Sequence, residues 1–483
     1  MSTSLHRLLC VARATLVPVV ANLLVHLLSV YAAGERHFFV NFDYFAVPVA
    51  YFLADRVIGR LAATVLSGVL LGLLFAADVW GAINGHYFAD PSMLFDLLPF
   101  ATVWPWRLLA PLIVVGFGAA MLLVATSAPA RPRWNTLLPA LSLLLAAGVA
   151  DAARPYVPVT SLSHAAFLSS GMANLLRPAI NQFRNERIGT VRNPTPISAN
   201  SFAVGYSADS DAPARILSVG VESWSISRNP ETLRRQQEIL TRALGGEYEI
   251  SFGAHQFHGS TLEGEVRELC GLQLNGIPRD ALERDSLHDC LPRALAERGY
   301  ATSGWHGNSG SFYRRSEIYP AIGLQAVYSY EALRPQVGKL CRSLFVGICD
   351  ADVLRLAAAS FVEGRRSFVH VMTLDTHLPL PPPKRACPQR HGAQLCSWEE
   401  GIDATLGSIV HALEGARVKP DLVVIYGDHA PPFLDAETRG RFVAGQVPFV
   451  ALWRHDAGLD GKRLADAVAG RPLDSAAGLL TQR

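Results

Sequence analysis

At 483 residues the chain exceeds one ordinary domain, and half of it is apolar while 17% is charged, against roughly 25% in soluble domains. The net charge of +2 comes with scattered arginines and no basic run, which excludes a nucleic-acid-binding surface. Such a balance implies membrane-embedded sequence.

The apolar excess falls in the first third, in five stretches long enough, or nearly so, to cross a bilayer as helices of about 20 residues. They run Leu9–Ala33, Phe38–Ala54, Leu61–Ala82, Leu108–Ala125 and Leu137–Ala152, the second being short and carrying Asp43 and Pro48. No small-residue cleavage site follows the first, so it reads as a retained anchor. Arg7, Arg13, Arg56, Arg60, Arg131 and Arg133 lie on one side of the spans, and Arg36, Arg107 and Arg154 on the other. Positive charge collects in the cytoplasm, so the amino terminus is expected inside and everything after Ala152 outside. The expected division is a transmembrane domain over 1–153, a juxtamembrane helix and linker over 154–212, and an extracytoplasmic domain over 213–483.

Cysteine usage tests that topology. Cys10 stands at the first span, and Cys270, Cys290, Cys341, Cys349, Cys387 and Cys396 all lie beyond the last. An even number outside the cytoplasm reads as disulfides, with sequence neighbours paired (270 with 290, 341 with 349, 387 with 396) among fifteen connectivities. Free thiols or a zinc site are the alternatives, although no CxxC pair is present.

From Ser161 to Arg187 apolar residues recur at helical spacing around Pro178, which predicts a helix either lying on the membrane surface or packed as a connector. Asn193–Asp211, rich in Pro, Ser, Asn and Ala, reads as a loop. Beyond it, strand-like runs at Ile216–Val221, Tyr248–Phe252, Ala301–Trp305, Phe368–Leu374, Leu422–Tyr426 and Phe449–Trp453 alternate with helical segments such as Glu231–Leu244 and Thr405–Glu414. This alternation predicts an α/β domain with a mainly parallel sheet sandwiched by helices.

Ligand sites of such sheets lie beyond the carboxyl ends of the strands. Glu222 follows the first run, Asp375 and His377 follow Phe368–Leu374, and Asp428 and His429 follow Leu422–Tyr426. Glu222, Asp428 and His429 offer two carboxylates and one imidazole, a set suited to one Zn²⁺ or Mn²⁺ with a position left open. Taken singly, each is also compatible with a helix cap or turn. A hydroxyl on such an ion loses its proton readily, and Thr261 in HGSTLEGEVRELCGL is the candidate fourth ligand and nucleophile. A plain helix cap at Thr261, or a nucleophile at the adjacent Ser260, are the competing readings.

The order of Glu222 after the first strand, Thr261 opening a helix that reaches Cys270 and Gly271, and Asp428 with His429 in a late YGDH resembles the lipoteichoic acid synthases, the phosphoglycerol transferases of periplasmic glucans and the lipid A phosphoethanolamine transferases, within the alkaline-phosphatase superfamily. The resemblance implies that Glu222, Thr261, Asp428 and His429 hold the metal and that Thr261 is the nucleophile. WHGNSGSFYRRSEIYPAIGL, from Trp305 to Leu324, resembles the stretch in which a histidine, an aromatic and an arginine flank the transferred phosphate, which maps to His306, Tyr313 and Arg315. Tyr313 departs from the usual tryptophan. A guanidinium at Arg315 suits two phosphate oxygens, the alternative being a salt bridge. His377, in LDTHLPL, resembles the histidine near substrate, the alternative being a core histidine, and Asp375 beside it joins the expected substrate-binding set.

The resemblance implies a multi-pass bacterial inner-membrane enzyme, acting as a monomer, with its catalytic domain in the periplasm. It would take phosphoethanolamine or phosphoglycerol from a membrane phospholipid, through a phosphothreonine, to an envelope glycan or lipid acceptor, with His306 or His377 carrying protons. A formylglycine sulfatase needs C/S-x-P-x-R, and the residues after Thr261 (Leu262, Glu263, Gly264, Glu265) lack both proline and arginine. A phosphodiesterase and a non-catalytic envelope scaffold are the other readings.

Overall fold

Short valine, isoleucine and leucine runs that lack polar alternation suit strands buried on both faces, and Arg215–Val221 and Leu422–Gly427 are such strands. The structure is a computed structural model. It describes residues 212–458 apart from short gaps at 258, 274–286, 288–289, 343–345, 379, 388–391 and 434–435, and before them residues 16–27, 40–87, parts of 116–125, and the pairs 168–169 and 191–192. Two units are formed, one mainly from residues up to Arg187 and the other mainly from Ile188 onward.

The second unit is built on a seven-stranded sheet. The sheet strands and the main helices in chain order are β1 (Arg215–Val221), α1 (Pro230–Leu244), β2 (Tyr248–Gln256), α2 (Thr261–Cys270), β3 (Ala301–His306), α3 (Arg315–Ala321), β4 (Ala326–Tyr328), α4 (Asp350–Ala359), β5 (Ser367–Met372), α5 (Ala393–Gly415), β6 (Leu422–Gly427) and β7 (Gln446–Arg454). The strand order is β2-β7-β6-β1-β5-β3-β4. From β6 to β4 every pairing is parallel, while β7 runs antiparallel to both of its neighbours. Every residue of β5 and β6 is buried, so helices cover the sheet on both sides. On one side α5 packs against both α1 and α4.

Parallel register brings the strand exits level. Gly220 of β1 faces both Tyr426 of β6 and Met372 of β5, and Met372 in turn faces His306 of β3. The residues just beyond, Glu222, Thr373 and Asp428, therefore emerge side by side at one edge.

The six expected strands and both expected helices are present, several with longer bounds. The three cross-links pair as expected: Cys270 with Cys290, Cys341 with Cys349, and Cys387 with Cys396. The helix expected over 161–187 is replaced at Leu168–Ser169 by a two-residue strand pairing with Val40–Asn41. There, backbone hydrogen bonding to another segment overrides the apolar spacing. The rest of that segment, the loop expected over 193–211 and the fifth span lie outside the described residues.

In the first unit, residues 16–27, helices Ala46–Ile58 and Arg60–Tyr87, and parts of 116–125 share a core that includes Val17, Tyr44, Tyr51, Ala63, Leu74 and Val124. Gly59, at φ 82°, makes the one-residue joint between the two helices. Among the described residues no helix is long and apolar enough to cross a membrane, and the side chains of Arg60–Tyr87 are described only as far as Ala76. Large apolar side chains such as Val19, Leu23, Val57, Leu61 and Leu73 point outward from this unit.

Candidate metal centre and active site

Glu222 leaves β1 and is fixed through its own backbone: its N–H donates to Thr373 Oγ1 at 2.9 Å, and its carbonyl accepts from the Thr376 hydroxyl. The next residue, Ser223, holds a left-handed φ of 57°, a conformation that costs a non-glycine residue of order 1 kcal/mol or more. Three contacts impose it. Its N–H donates to Asp428 Oδ1 at 2.7 Å, its hydroxyl to Glu222 Oε1 at 2.8 Å, and its carbonyl accepts from Trp398 Nε1 of α5 at 2.8 Å. The strain thus locks Glu222 against Asp428.

Asp428 and His429 leave β6. Asp428 Oδ1 accepts the N–H groups of Ser223 and His429, whereas Asp428 Oδ2 is buried without a hydrogen-bond partner. The His429 Nδ1 lies 2.8 Å from the carbonyl of Ala430, so a proton on Nδ1 leaves the Nε2 lone pair directed at the cluster. One donor atom each from Glu222, Asp428 and His429 falls within 4.8 Å of the others.

Thr261 is the first residue of α2. Ser260 is its N-cap, and Glu263 accepts from both the N–H and the hydroxyl of Ser260, closing a capping box. The Ser260 hydroxyl is occupied there. The Thr261 hydroxyl instead donates to Glu222 Oε2 at 3.1 Å and lies 3.3 Å from His429 Nε2. Glycine permits this approach: a Cβ on Gly264 would come within 2.8 Å of the Asp428 carbonyl, and one on Gly427 within 2.0 Å of the Trp224 carbonyl.

Two carboxylates and an imidazole this close cannot all take their ordinary charge states. Burial and the neighbouring Glu222 push Asp428 up to about 8. Burial acts against a charged His429, but Asp428 and Glu222 outweigh it and raise the imidazole to about 10. Glu222 is driven well below the carboxylate range, against burial, by His429 and His377. One divalent cation would meet the orphan Asp428 oxygen and take the place of the protons that Asp428 and His429 otherwise hold, so the donor set fits Zn²⁺ or Mn²⁺. Asp428 and His429 both hold a proton at pH 7 before loading, since both values lie above 7, and both must lose it to ligate. Zinc loading at pH 7 is therefore expected to release about two protons, and affinity to climb as pH rises through 8 toward 10. Calorimetry in two buffers of different ionisation enthalpy measures the number.

Around this cluster, His306 ends β3 with its Nδ1 2.9 Å from the carbonyl of Met372, and its Nε2 is buried without a partner. Burial and the Arg315 charge hold this imidazole down at about 3, so it is neutral. Tyr313 and Arg314 are consecutive left-handed residues at φ 57° and 53°, a second strained point. The Arg315 guanidinium lies 5.1 Å from the centre of the Tyr313 ring and is paired with Glu265, through Nη2 at 2.8 Å and Nε at 3.1 Å. Arg315 Nη1 is buried without a partner. His377 has Nδ1 2.7 Å from the carbonyl of Leu378. Burial lowers its pKa while Glu222 opposes the shift. Asp375 engages the first turn of α4: its Oδ2 accepts the Asp350 N–H at 2.9 Å, and the Asp350 carboxylate accepts from Leu374 and Asp375.

The structure brings Glu222, Thr261, Asp428 and His429 into one cluster, with His306 and His377 in electrostatic reach of Glu222. The sequence reading missed Ser223, Thr373 and Thr376, which hold Glu222, and Glu265 and Arg267, which brace α2. Small hydroxyl residues flanking a strand-end acid were the only signal for the first three. Two charged residues spaced within a helix's apolar pattern were the signal for the others.

Residues 272–458 match the Sulfatase family. That stretch contains His306, Arg315, His377, Asp428 and His429, and begins after Glu222 and Thr261. The chain is 24% identical over 208 residues to a lipoteichoic acid synthase of Staphylococcus saprophyticus, an alignment spanning 40% of this chain and 31% of that protein. The chain thus spans about a third of the length of that relative. Among solved structures, the lipoteichoic acid synthase LtaP of Listeria monocytogenes is 18% identical, with 56% of this chain and 70% of that one covered and a TM-score of 0.38. The phosphoglycerol transferase GacH of Streptococcus pyogenes, solved with sn-glycerol-1-phosphate, is 17% identical, covering 56% and 78%, with a TM-score of 0.36. The periplasmic domain of EcEptC from Escherichia coli, in complex with Zn, is 14% identical, covering 52% and 76%, with a TM-score of 0.36. The chain is thus similar to the Sulfatase family over residues 272–458 and to a lipoteichoic acid synthase over 208 residues.

Proposed function

We propose that the chain is a metal-dependent transferase that moves phosphoethanolamine or phosphoglycerol from a membrane phospholipid, through a phosphothreonine on Thr261, to an envelope glycan or lipid A acceptor. The observation that carries this reading is the Thr261 hydroxyl, buried on the first turn of α2 and within hydrogen-bond reach of both Glu222 and His429. Glu222, Asp428 and His429, with Thr261, would hold one Zn²⁺ or Mn²⁺. When bound, the ion supplies positive charge that favours loss of the threonine proton and offsets charge on the phosphoryl oxygens.

In the first step Thr261 Oγ1 forms a bond to phosphorus and the bond to the diacylglycerol oxygen breaks. The proton lost by the threonine is balanced by the one the departing oxygen gains. Glu222 Oε2 accepts that hydroxyl in the resting site and stays ionised, since its neighbours hold it well below the carboxylate range. Arg315 binds a phosphoryl oxygen, with Tyr313 beneath its guanidinium. In the second step an acceptor hydroxyl attacks the phosphothreonine and Thr261 regains its proton. His306, whose Nε2 is buried without a partner, and His377 are the candidate carriers of the acceptor's proton; His306, held at about 3 by burial and Arg315, serves only if phosphoryl charge on Arg315 raises it. Asp375, by fixing the 374–377 turn to α4, sets the position of His377 and completes the substrate-binding set.

The outward apolar side chains of the first unit support anchoring in a bilayer, which is also where a phospholipid donor is found. The three disulfides support an extracytoplasmic site, in a bacterial periplasm. The test is intact-mass and peptide mapping of the full chain, in zinc and then in manganese, after incubation with vesicles of phosphatidylglycerol or of phosphatidylethanolamine. An adduct of glycerol phosphate or ethanolamine phosphate on Thr261 is expected. Rapid release of free headgroup without transfer would make the chain a phosphodiesterase, and absence of any headgroup release would overturn the reading.

A further inference from the structure

Nine of the ten residues of α2, all but Glu263, are buried, although the helix carries Glu265, Arg267 and Glu268. Charges in such surroundings persist only when each is paired, and the pairings here have a pattern. Glu265, one turn beyond Thr261, receives Nε and Nη2 of Arg315 and the Tyr319 hydroxyl, with His370 Nε2 3.5 Å away. Arg267 donates through Nη2 to the carbonyl of Gly427 at 2.9 Å and through Nη1 to that of Asp428 at 3.3 Å, its guanidinium 4.1 Å from the centre of the Phe257 ring. Glu268 holds Arg267 Nε at 2.6 Å and lies 3.1 Å from His255 Nε2. One rigid helix therefore registers the Thr261 hydroxyl, the guanidinium of Arg315 and the backbone that presents Asp428 and His429.

The Arg315 fork is divided unevenly. Two of its nitrogens are committed to Glu265 while Nη1 is buried with no partner, an arrangement that costs free energy unless the free N–H groups meet an acceptor during function. Arg315 is also close enough to His306 to depress its protonation, and so stands beside the histidine that borders the cluster.

We propose that Glu265 is a positioning residue: it turns the Arg315 guanidinium so that Nη1 is offered to the phosphoryl oxygens brought to Thr261, with α2 as the common gauge of nucleophile, phosphate-binding group and metal loop. This deepens the transferase reading and rests on its assignment of Arg315 to phosphate. Glu265→Gln keeps the side-chain volume and one acceptor oxygen but loses the charge and one bond to the fork.

The experiment titrates inorganic phosphate into the zinc-loaded full chain by calorimetry, for the wild type, Glu265→Gln, Arg315→Ala and the double variant. Glu265→Gln is expected to weaken phosphate binding roughly 10- to 100-fold with zinc affinity unchanged, and to have no further effect once Arg315 is alanine. Undiminished phosphate binding in Glu265→Gln, the same loss with and without Arg315, or no phosphate binding by the wild type would each overturn the proposal. Should Glu265→Gln not fold, Glu265→Asp replaces it. Aspartate keeps the charge but draws the carboxylate back from the Arg315 fork by one methylene, so the same Arg315-dependent loss of phosphate affinity is expected, and wild-type affinity overturns the proposal. Phosphate binding coupled through Glu265 without any Thr261 adduct would sink the transferase and leave this device standing, whereas an adduct without the coupling would do the reverse.

Discussion

Thr261→Ala is expected to lower headgroup release from phospholipid vesicles by about 10⁴-fold or more, the scale of removing a nucleophile that acts in concert with its neighbours. Alanine at the first position of α2 leaves the Ser260–Glu263 capping box untouched, and alanine is the best helix former. The fold therefore survives, and thermal melting should match the wild type. Thr261→Ser restores a hydroxyl without the methyl group and should recover a measurable fraction of turnover together with the covalent adduct. Turnover by the alanine variant within tenfold of wild type would assign Thr261 a purely structural place.

Asp428→Asn has the second-largest expected effect, and it falls on metal affinity. Zinc sites of four ligands bind with about 10–16 kcal/mol, so removing one charged ligand costs about 3–4 kcal/mol, or 10²- to 10³-fold in affinity. Stability should move the other way. Burial and Glu222 raise the Asp428 carboxyl to about 8, above its unfolded value, so at neutral pH the metal-free fold must take up a proton that the unfolded chain has released, which lowers its stability. Asparagine keeps an oxygen for the Ser223 and His429 N–H groups and removes that penalty. Zinc titration should therefore show the loss while the metal-free chain melts no lower than wild type. A lower melting temperature with affinity retained would place Asp428 among the structural residues.

The frame of the catalytic unit was legible because its central strands are uniform apolar runs, and parallel sheets need their faces buried. β4 escaped notice because Ala326–Tyr328 is three residues long and half-buried, too short for any periodicity to register. The ends of β2 and β7 were underestimated for a related reason: Gly253, Ala254 and His255 look like a turn, yet they pair with Phe449, Pro448 and Val447. Glu222, Asp428 and His429 could be singled out because residues that end adjacent parallel strands must emerge together. The proximity of Thr261 to them was legible only through the family resemblance, since Gly264 and Gly427 matter by the side chains they lack. Arg315 illustrates the remaining gap. A guanidinium suited to phosphate was readable, but its capture by Glu265, fifty positions earlier, depends on how α3 meets α2, which no local pattern encodes.

The covalent bridges fall on the three supports of the cluster. Cys270 closes α2, the helix that begins with Thr261; Cys349 caps α4, whose Asp350 holds the 374–377 turn; and Cys396 opens α5, whose Trp398 grips Ser223. Sulfur oxidation therefore fastens each wall of the site separately. A chain whose cysteines are reduced has the same residues in the same order along the backbone but none of these fastenings, so the walls of the candidate site are expected to be held firmly only under oxidising conditions.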